Sequence, residues 1–266
     1  MTRSCLAGLG MVLFLVPSST SSQTYHESLE QGVRQFHEGY RSWDADVLLK
    51  STETLERACA KKPDDYLPYH WLGIARFHVL VHRKGDAARP MEKREFKDLL
   101  SSVRQPLQKA IKLNSADSEA HALISTLAGM EIAREPSHAI WLGPTVLRHR
   151  KLAVKHGKDN PRTQYLIGAA FVQGPSFLGG LEEGLPHLKR AEKLFETQTS
   201  PVKGPVAAAS TWGYEHCLVL IGDVCMRRDE VGKAEEYFRK ATAVNPQNKL
   251  AQRRLNTLQR SNEGHE

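Results

Sequence analysis

Histidine is the side chain in this sequence with the clearest potential for chemistry, and the chain has 12 of them. His78 and His82 stand four residues apart in HVLVH, so both would lie on one face of a helix. That spacing can hold a metal ion. No glutamate lies between them as in a zinc protease, and no third ligand is marked. We therefore interpret them as surface or groove histidines, with a metal site as the alternative.

The glycine-rich segment GPSFLGG, residues 174–180, is the second candidate for chemistry. It lacks the Lys–Ser/Thr pair of a phosphate-binding loop, and no strand pattern precedes it. It also departs from the Gly-x-Ser-x-Gly nucleophile pattern, because Leu178 occupies the position of the last glycine. The segment therefore predicts a wide turn in which Phe177 and Leu178 plug the core. No nucleophilic set is recognisable elsewhere, so we predict no catalytic residue, no metal, no cofactor and no enzymatic activity.

Helices must position these side chains, because apolar residues recur every three or four positions along most of the chain. No stretch alternates apolar and polar residues as a half-buried strand does, and no hairpin dipeptide stands between β-branched runs. Turn-forming residues interrupt the helical pattern at KKPDD, NSAD, KDNPR and NPQN, which are residues 61–65, 114–117, 158–162 and 245–248. The sequence therefore predicts an all-α protein.

One spacing of residues recurs along the chain and indicates repeated pairs of helices. Near the C-terminus, Ala234 follows Gly222 twelve positions later, and Phe238, Ala241 and Pro246 follow at steps of four, three and five. Small residues let two helices approach closely, and the proline ends the second helix. The same steps separate an earlier set of residues: Gly39, Ser51, Leu55, Ala58 and Pro63. A small residue occurs ten positions after Pro63, and again ten positions after Ser115 and Lys158, which hold the place of that proline: Gly73, Ser125 and Gly168.

This pattern resembles the tetratricopeptide repeat, a helix–turn–helix unit of about 34 residues. Residues 215–248 are the clearest copy, residues 32–65 match in their second helix, and three copies carry insertions: 66–117, 118–160 and 161–198. The resemblance implies an α/α superhelix, a right-handed solenoid of about five such units, whose first helices line a concave groove. Residues 160–180 and 184–195 are also similar to a group of exported bacterial repeat proteins.

The first 22 residues have the layout of a secretory signal peptide. Arg3 precedes an apolar run at residues 6–16, which is too short to span a bilayer as a helix, and small residues follow it. We therefore expect secretion across the inner membrane and a periplasmic or envelope-associated protein, with an uncleaved anchor as the alternative. The predicted mature segments are repeats one to four at 23–198, a linker at 199–214, and the last repeat with a capping helix at 215–266.

The balance of charge excludes one class of partner. The chain carries a formal net charge of +7, with 37 basic residues spread among 30 acidic ones. Such a surface lacks the dense basic stripe of a nucleic-acid-binding protein. It is compatible with a peripheral contact at a membrane or an envelope complex.

The cysteines of the predicted mature chain indicate no disulfide framework. Cys217 and Cys225 lie eight residues apart on one predicted helix, which separates them by about 12 Å along its axis and prevents a disulfide. Cys59 is left without a partner. We expect all three as free, buried thiols that pack like small apolar residues.

Helical spacing selects the residues that would face a groove lined by the first helices. These predicted groove residues come from the second, fourth and fifth units: His70, Phe77, His78, Arg162, Tyr165, Gln173, His216, Asp223, Met226 and Arg227. Such a mixture of polar and aromatic side chains suits a peptide or helix with some acidic character. The alternative is that these side chains are merely solvated.

The repeats favour a binding protein over an enzyme. Our main hypothesis is an exported scaffold that presents its groove to a peptide or protein partner. The alternative is a solute-binding accessory subunit that holds a small molecule in a pocket formed by the repeats. A third hypothesis is a metal protein or enzyme that uses histidines of the groove wall. An enclosed apolar cavity would favour the second hypothesis, and an open groove would favour the first.

Overall fold

The computed structural model of the chain describes residues 24–197 and 212–263. Within these residues every regular element is helical, so the predicted all-α class is confirmed. Eleven α-helices are described: α1 Tyr25–Ser42, α2 Ala45–Lys61, α3 Tyr66–Lys84, α4 Lys93–Leu113, α5 Ser118–Arg134, α6 Ala139–His156, α7 Pro161–Gln173, α8 Leu181–Thr197, α9 Tyr214–Arg227, α10 Val231–Val244 and α11 Lys249–Glu263. Two 3₁₀ turns follow α5 and α7, at Pro136–His138 and Ser176–Leu178.

Two predicted segments cannot be compared with this fold. The predicted signal peptide and residues 199–211 of the predicted linker lie outside the described residues, so the domain boundaries stay predictions. Among the helices of the described ranges, none is both long and apolar enough to cross a membrane.

Short polar side chains fix the starts of several helices. Asp65, Asp117, Asn160 and Asn248 are each the last residue of a predicted unit. Each accepts a hydrogen bond from a backbone N–H of the helix that follows. These bonds satisfy N–H groups that have no acceptor within the helix itself. The turn chemistry therefore sets where each new unit begins.

The helices pack in sequential pairs, α1 with α2, α3 with α4, α5 with α6, α7 with α8, and α9 with α10. Glycine on the first helix allows the close approach that the sequence predicts. A Cβ atom on Gly222 would lie 2.5 Å from Phe238, and one on Gly168 would lie 2.7 Å from Leu188. Both distances are too short for a real side chain, so each pair depends on the missing Cβ.

The first pair of helices uses a different glycine from the one that the spacing predicts. Leu55 of α2 packs on Gly32, where a Cβ atom would lie 2.7 Å from Leu55, and Ser51 donates to the Gly32 carbonyl over 2.8 Å. Gly39, the glycine of the repeated spacing, meets Leu48 instead. The two glycines lie seven residues apart, which is two helical turns, so both fall on the same face of α1.

Trp212 joins the two ends of the array of helices. Its side chain is 1% exposed and packs against the rings of Phe36 on α1 and Tyr165 on α7, at centroid distances of 6.1 and 6.3 Å. Asn245, after α10, donates to the carbonyl of Arg41 on α1 over 3.2 Å. The last unit therefore contacts the first one.

The cysteines and the turn at Ser176–Leu178 each had a local prediction. The three cysteines of the predicted mature chain, Cys59, Cys217 and Cys225, are free and buried, as predicted. The prediction for Phe177 was wrong, because this side chain is 62% exposed. Side chains in a 3₁₀ turn point about 120° apart, so the turn directs Leu178 to the core and leaves Phe177 outside.

Candidate functional site

The first helices of the five pairs, α1, α3, α5, α7 and α9, surround a partly enclosed cavity of about 260 Å³. Most of its wall is apolar, and six residues with aromatic rings contribute to it: Tyr40, Trp43, Phe77, His78, Tyr165 and His216. The volume lies just below the usual range of ligand pockets, about 300–1,000 Å³. This space suits a molecule of modest size, or part of a larger one.

The predicted groove residues divide into two sets of equal size. One set lines the cavity: Phe77, His78, Tyr165, Gln173 and His216. The other set lies outside its wall: His70, Arg162, Asp223, Met226 and Arg227. Helical spacing therefore selects part of the cavity wall, together with residues that contact neighbouring helices.

Tyr40 and His216 connect α1 to α9 at the cavity wall. The backbone N–H of Gly213 donates to the Tyr40 hydroxyl over 2.9 Å, and this hydroxyl lies 2.5 Å from Nδ1 of His216. Burial raises the pKa of Tyr40 and lowers the pKa of His216 to about 4. His216 is therefore neutral at pH 7, and its Nδ1 shares a hydrogen bond with the Tyr40 hydroxyl.

A backbone carbonyl fixes the tautomer of His78 on α3. Its Nδ1 lies 2.9 Å from the carbonyl oxygen of Ile74, one turn earlier, so Nδ1 carries the proton and donates it. Burial lowers the pKa of His78 to about 4, although the bond to Ile74 opposes this shift. Nε2 then keeps its lone pair and can accept a hydrogen bond or ligate a metal ion. Within the described residues no group of three potential ligands converges on a metal site.

His70 and Arg162 join three helices. Nδ1 of His70 on α3 lies 2.7 Å from the carboxylate of Asp117, the N-cap of α5, and Nε of Arg162 on α7 donates to Glu119 of α5 over 2.8 Å. Burial disfavours a charged His70, but Asp117 and Glu119 outweigh burial and raise its pKa. Burial likewise opposes the charge of Glu119, yet Arg162 and His70 lower its pKa. These four residues form a buried ionic cluster that connects the helices.

The other three predicted groove residues belong to the packing of the last unit. Asp223 forms an ion pair with Arg254 of α11, in which the two atoms lie 2.7 Å apart. Met226 packs against the C-terminal core, and the exposed Arg227 donates to the carbonyl of Val172 over 3.2 Å. These contacts attach α9 to α11 and α7.

The charged side chains of the cavity wall are both cationic. They are Lys84 at the end of α3 and Arg150 on α6, and no aspartate or glutamate of the described ranges lines the cavity. Arg150 donates from Nη1 to the carbonyl of Leu178 over 2.8 Å, and its guanidinium carbon lies 4.0 Å from the centroid of the Phe171 ring. The cavity thus combines an apolar, aromatic wall with a positive potential.

Sequence reasoning did not select most of this wall, including two aromatic residues, Tyr40 and Trp43, and both cations, Lys84 and Arg150. Trp43 ends α1 with a φ angle of 54°, an unusual conformation for a bulky residue, and its ring centroid lies 5.7 Å from that of His216. Its position in SWD, between two helical patterns, is the one signal that could have marked it. Arg150 lies on a second helix, which the repeat pattern places away from the groove, so no pattern indicated it.

Comparison with known proteins shows a likeness of fold. The chain is similar to a solved structure, the HusA haemophore from Porphyromonas gingivalis, with 19% identical residues and a TM-score of 0.60. The match covers 78% of this chain and 96% of the other one. No family model matches the sequence, and no curated protein does. The relation to the tetratricopeptide repeat therefore stays a resemblance.

Proposed function

We propose that this protein binds a small, largely apolar molecule in the cavity, rather than a peptide along an open groove. The partly enclosed cavity, formed by the first helices of all five pairs, is the observation that carries this proposal. The contact of Tyr40 with Gly213 and His216 supports it, because it connects the first unit to the last across the space that a peptide would enter. In this proposal the pairs form a short, strongly curved superhelix of the tetratricopeptide type.

Haem is the first ligand to test, because the similar structure is a haemophore. The aromatic rings of the wall offer packing surfaces for a flat macrocycle. The neutral His78 offers Nε2 as a ligand for the iron. The cavity of about 260 Å³ would hold only part of such a ring, so the rest of the ring would extend out of it.

We place this activity outside the cytoplasm, as an exported binding protein of the periplasm or envelope. Support comes from the apolar run at residues 6–16, which predicts a signal peptide. A carrier of this kind would take up its ligand and release it again, and it would need no catalytic residue.

Titration of the full chain with haem tests the proposal directly. We expect saturation at one haem per chain and an absorption spectrum of histidine-ligated iron. The variant His78→Ala should lose that spectrum and bind haem more weakly, whereas His26→Ala, at an exposed position, should match the parent protein. Iron-free protoporphyrin IX should bind the parent and the His78 variant equally, because it has no iron to ligate.

A second measurement separates this proposal from the scaffold hypothesis. Native mass spectrometry of the chain purified from its own cell envelope should show a bound small molecule. A stoichiometric protein partner, together with no binding of haem or protoporphyrin IX, would contradict the proposal and favour a scaffold.

A further inference from the structure

Arg150 is a cation held in place at the cavity wall. The side chain is half-buried, its guanidinium packs on the Phe171 ring, and Nη1 donates to the carbonyl of Leu178. Nε is buried and has no acceptor among the described residues. One hydrogen bond is therefore made by a group that has five N–H donors.

The other half-buried arginines of the described ranges show what is missing at Arg150. Each of them pairs with a carboxylate: Arg76 with Glu56, Arg83 with Glu95, Arg104 with Glu131, and Arg162 with Glu119. Arg150 is the exception, and burial lowers its pKa with no acid to oppose the shift. Unpaired buried charge is destabilising, and proteins generally compensate for it.

The surroundings of Arg150 offer no internal counter-ion. The ring of His187 also stacks on Phe171. His187 is neutral at pH 7 because burial lowers its pKa, and Arg150 and Arg190 lower it further. Lys84, the second cation of the wall, is exposed and forms no ion pair in the described residues. The positive charge of the wall is thus left for a molecule in the cavity to neutralise.

We propose that Arg150 recognises a carboxylate on the ligand, so that the natural ligand is an apolar molecule with at least one acidic group. This inference rests on the proposed function, because it assigns the chemical class of the molecule in the same cavity. Phe171 and Leu178 hold the guanidinium in one orientation, which leaves N–H donors for a carboxylate. Lys84 supplies a second, more mobile positive charge at the mouth.

Two forms of one ring test this inference on the full chain: protoporphyrin IX, with two carboxylates, and its dimethyl ester, with none. We expect the parent protein to bind the acid about 10- to 100-fold more tightly than the ester, as a charge-assisted hydrogen bond implies. Arg150→Met keeps an apolar side chain against Phe171. This variant should bind both forms with the affinity that the parent protein has for the ester. Arg150→Lys should restore part of the preference for the acid.

Lys151→Met is the matched control, because it removes one positive charge from the next position of α6 at an exposed residue outside the cavity wall. This variant should keep the full preference for the acid.

Equal binding of acid and ester to the parent protein would overturn the inference and leave the proposed function standing. If neither form binds, the proposed function fails for this class of ligand and the inference fails with it. Displacement of the acid by millimolar inorganic phosphate would identify a site for free anions instead, and this would also overturn the inference. The comparison of acid with ester needs only the parent protein, so it remains decisive if a variant fails to fold.

Discussion

At the scale of single residues, the histidines of this chain differ in charge because their surroundings differ. Burial lowers the pKa to about 4 in four of them: His37, His78, His149 and His216. His70 is also buried, yet the carboxylates of Asp117 and Glu119 raise its pKa. The cavity therefore presents neutral imidazoles at pH 7, whereas the ionic cluster holds a charged one more readily.

The neutral histidines predict that the free energy of unfolding decreases as the pH falls from about 6.5 to about 4. In this window the unfolded histidines bind protons and the folded ones do not, so protons favour the unfolded state. His78→Gln should reduce this loss by about 1.4 kcal/mol per unit of pKa difference. Urea unfolding at several pH values measures it, with the exposed His156→Gln as control. Parallel losses in His78→Gln and the parent protein would show that His78 titrates as an exposed residue.

Two glycine substitutions should have opposite effects on stability. Gly222→Ala places a Cβ atom against Phe238, so we expect it to cost about 1–3 kcal/mol of unfolding free energy. Gly232→Ala, on α10, has open space around the new methyl group and should stabilise the protein by about 0.5–1 kcal/mol through helix propensity. Thermal unfolding of both variants measures the difference. Equal effects would mean that α9 and α10 approach less closely than described.

At the scale of helices, the buried ionic cluster connects the first helices of three successive pairs, α3, α5 and α7. It takes His70 from α3, Asp117 and Glu119 from the start of α5, and Arg162 from α7. Because the folded pKa of His70 is raised, its contribution to stability is complete below about 6.5 and is lost as the pH rises through the folded value. The pH dependence of stability that His70 contributes is therefore opposite in sign to that of the neutral histidines.

Glu119→Gln tests the buried ionic cluster, because it keeps the shape of the side chain and removes the charge that faces Arg162. We expect it to cost about 3–5 kcal/mol of unfolding free energy, as breaking a buried ion pair does. The double variant Glu119→Gln/Arg162→Gln should lose less than the sum of the single variants. Urea unfolding measures the cycle. Glu235→Gln, which breaks an exposed pair with Arg239, is the control and should cost less than about 1 kcal/mol. If the double variant lost as much stability as the two single variants together, Glu119 and Arg162 would not be coupled, which would contradict the role of the ionic cluster.

The sequence predicts helices and their contacts better than it predicts the site. The close approach of two helices at Gly222 is predicted because the packing of neighbouring helices depends on local spacing. The short polar caps such as Asp65 mark helix starts for the same local reason. Arg150 could not be predicted, because α6 is part of a unit with extra residues and its direction depends on tertiary packing. Leu55 packs on Gly32 and not on Gly39, the glycine of the repeated spacing, since a shift of two turns leaves the same face of α1 toward α2.

At the scale of the whole molecule, contacts between the first and last units change how stability is distributed. In an open array of repeats, each unit contacts only its neighbours and stability is a sum of local terms. Here Tyr40 of α1 bonds to Gly213, which precedes α9, and to His216 of α9, which is 176 positions away in the sequence. Asn245 adds a bond to Arg41. We therefore expect the two ends to open together and the cavity to depend on both.

Tyr40→Phe tests this coupling. The variant removes one hydroxyl and leaves the buried N–H of Gly213 without its acceptor, which should cost about 1–3 kcal/mol. Hydrogen exchange of backbone amides should become faster in both α1 and α9, because each end supports the other, and the ligand of the cavity should bind more weakly. Tyr214→Phe is the control, since its hydroxyl bonds to Glu196 over 3.4 Å at the surface. Faster exchange in α1 alone would show that the units at the two ends open independently, as they would in an open array.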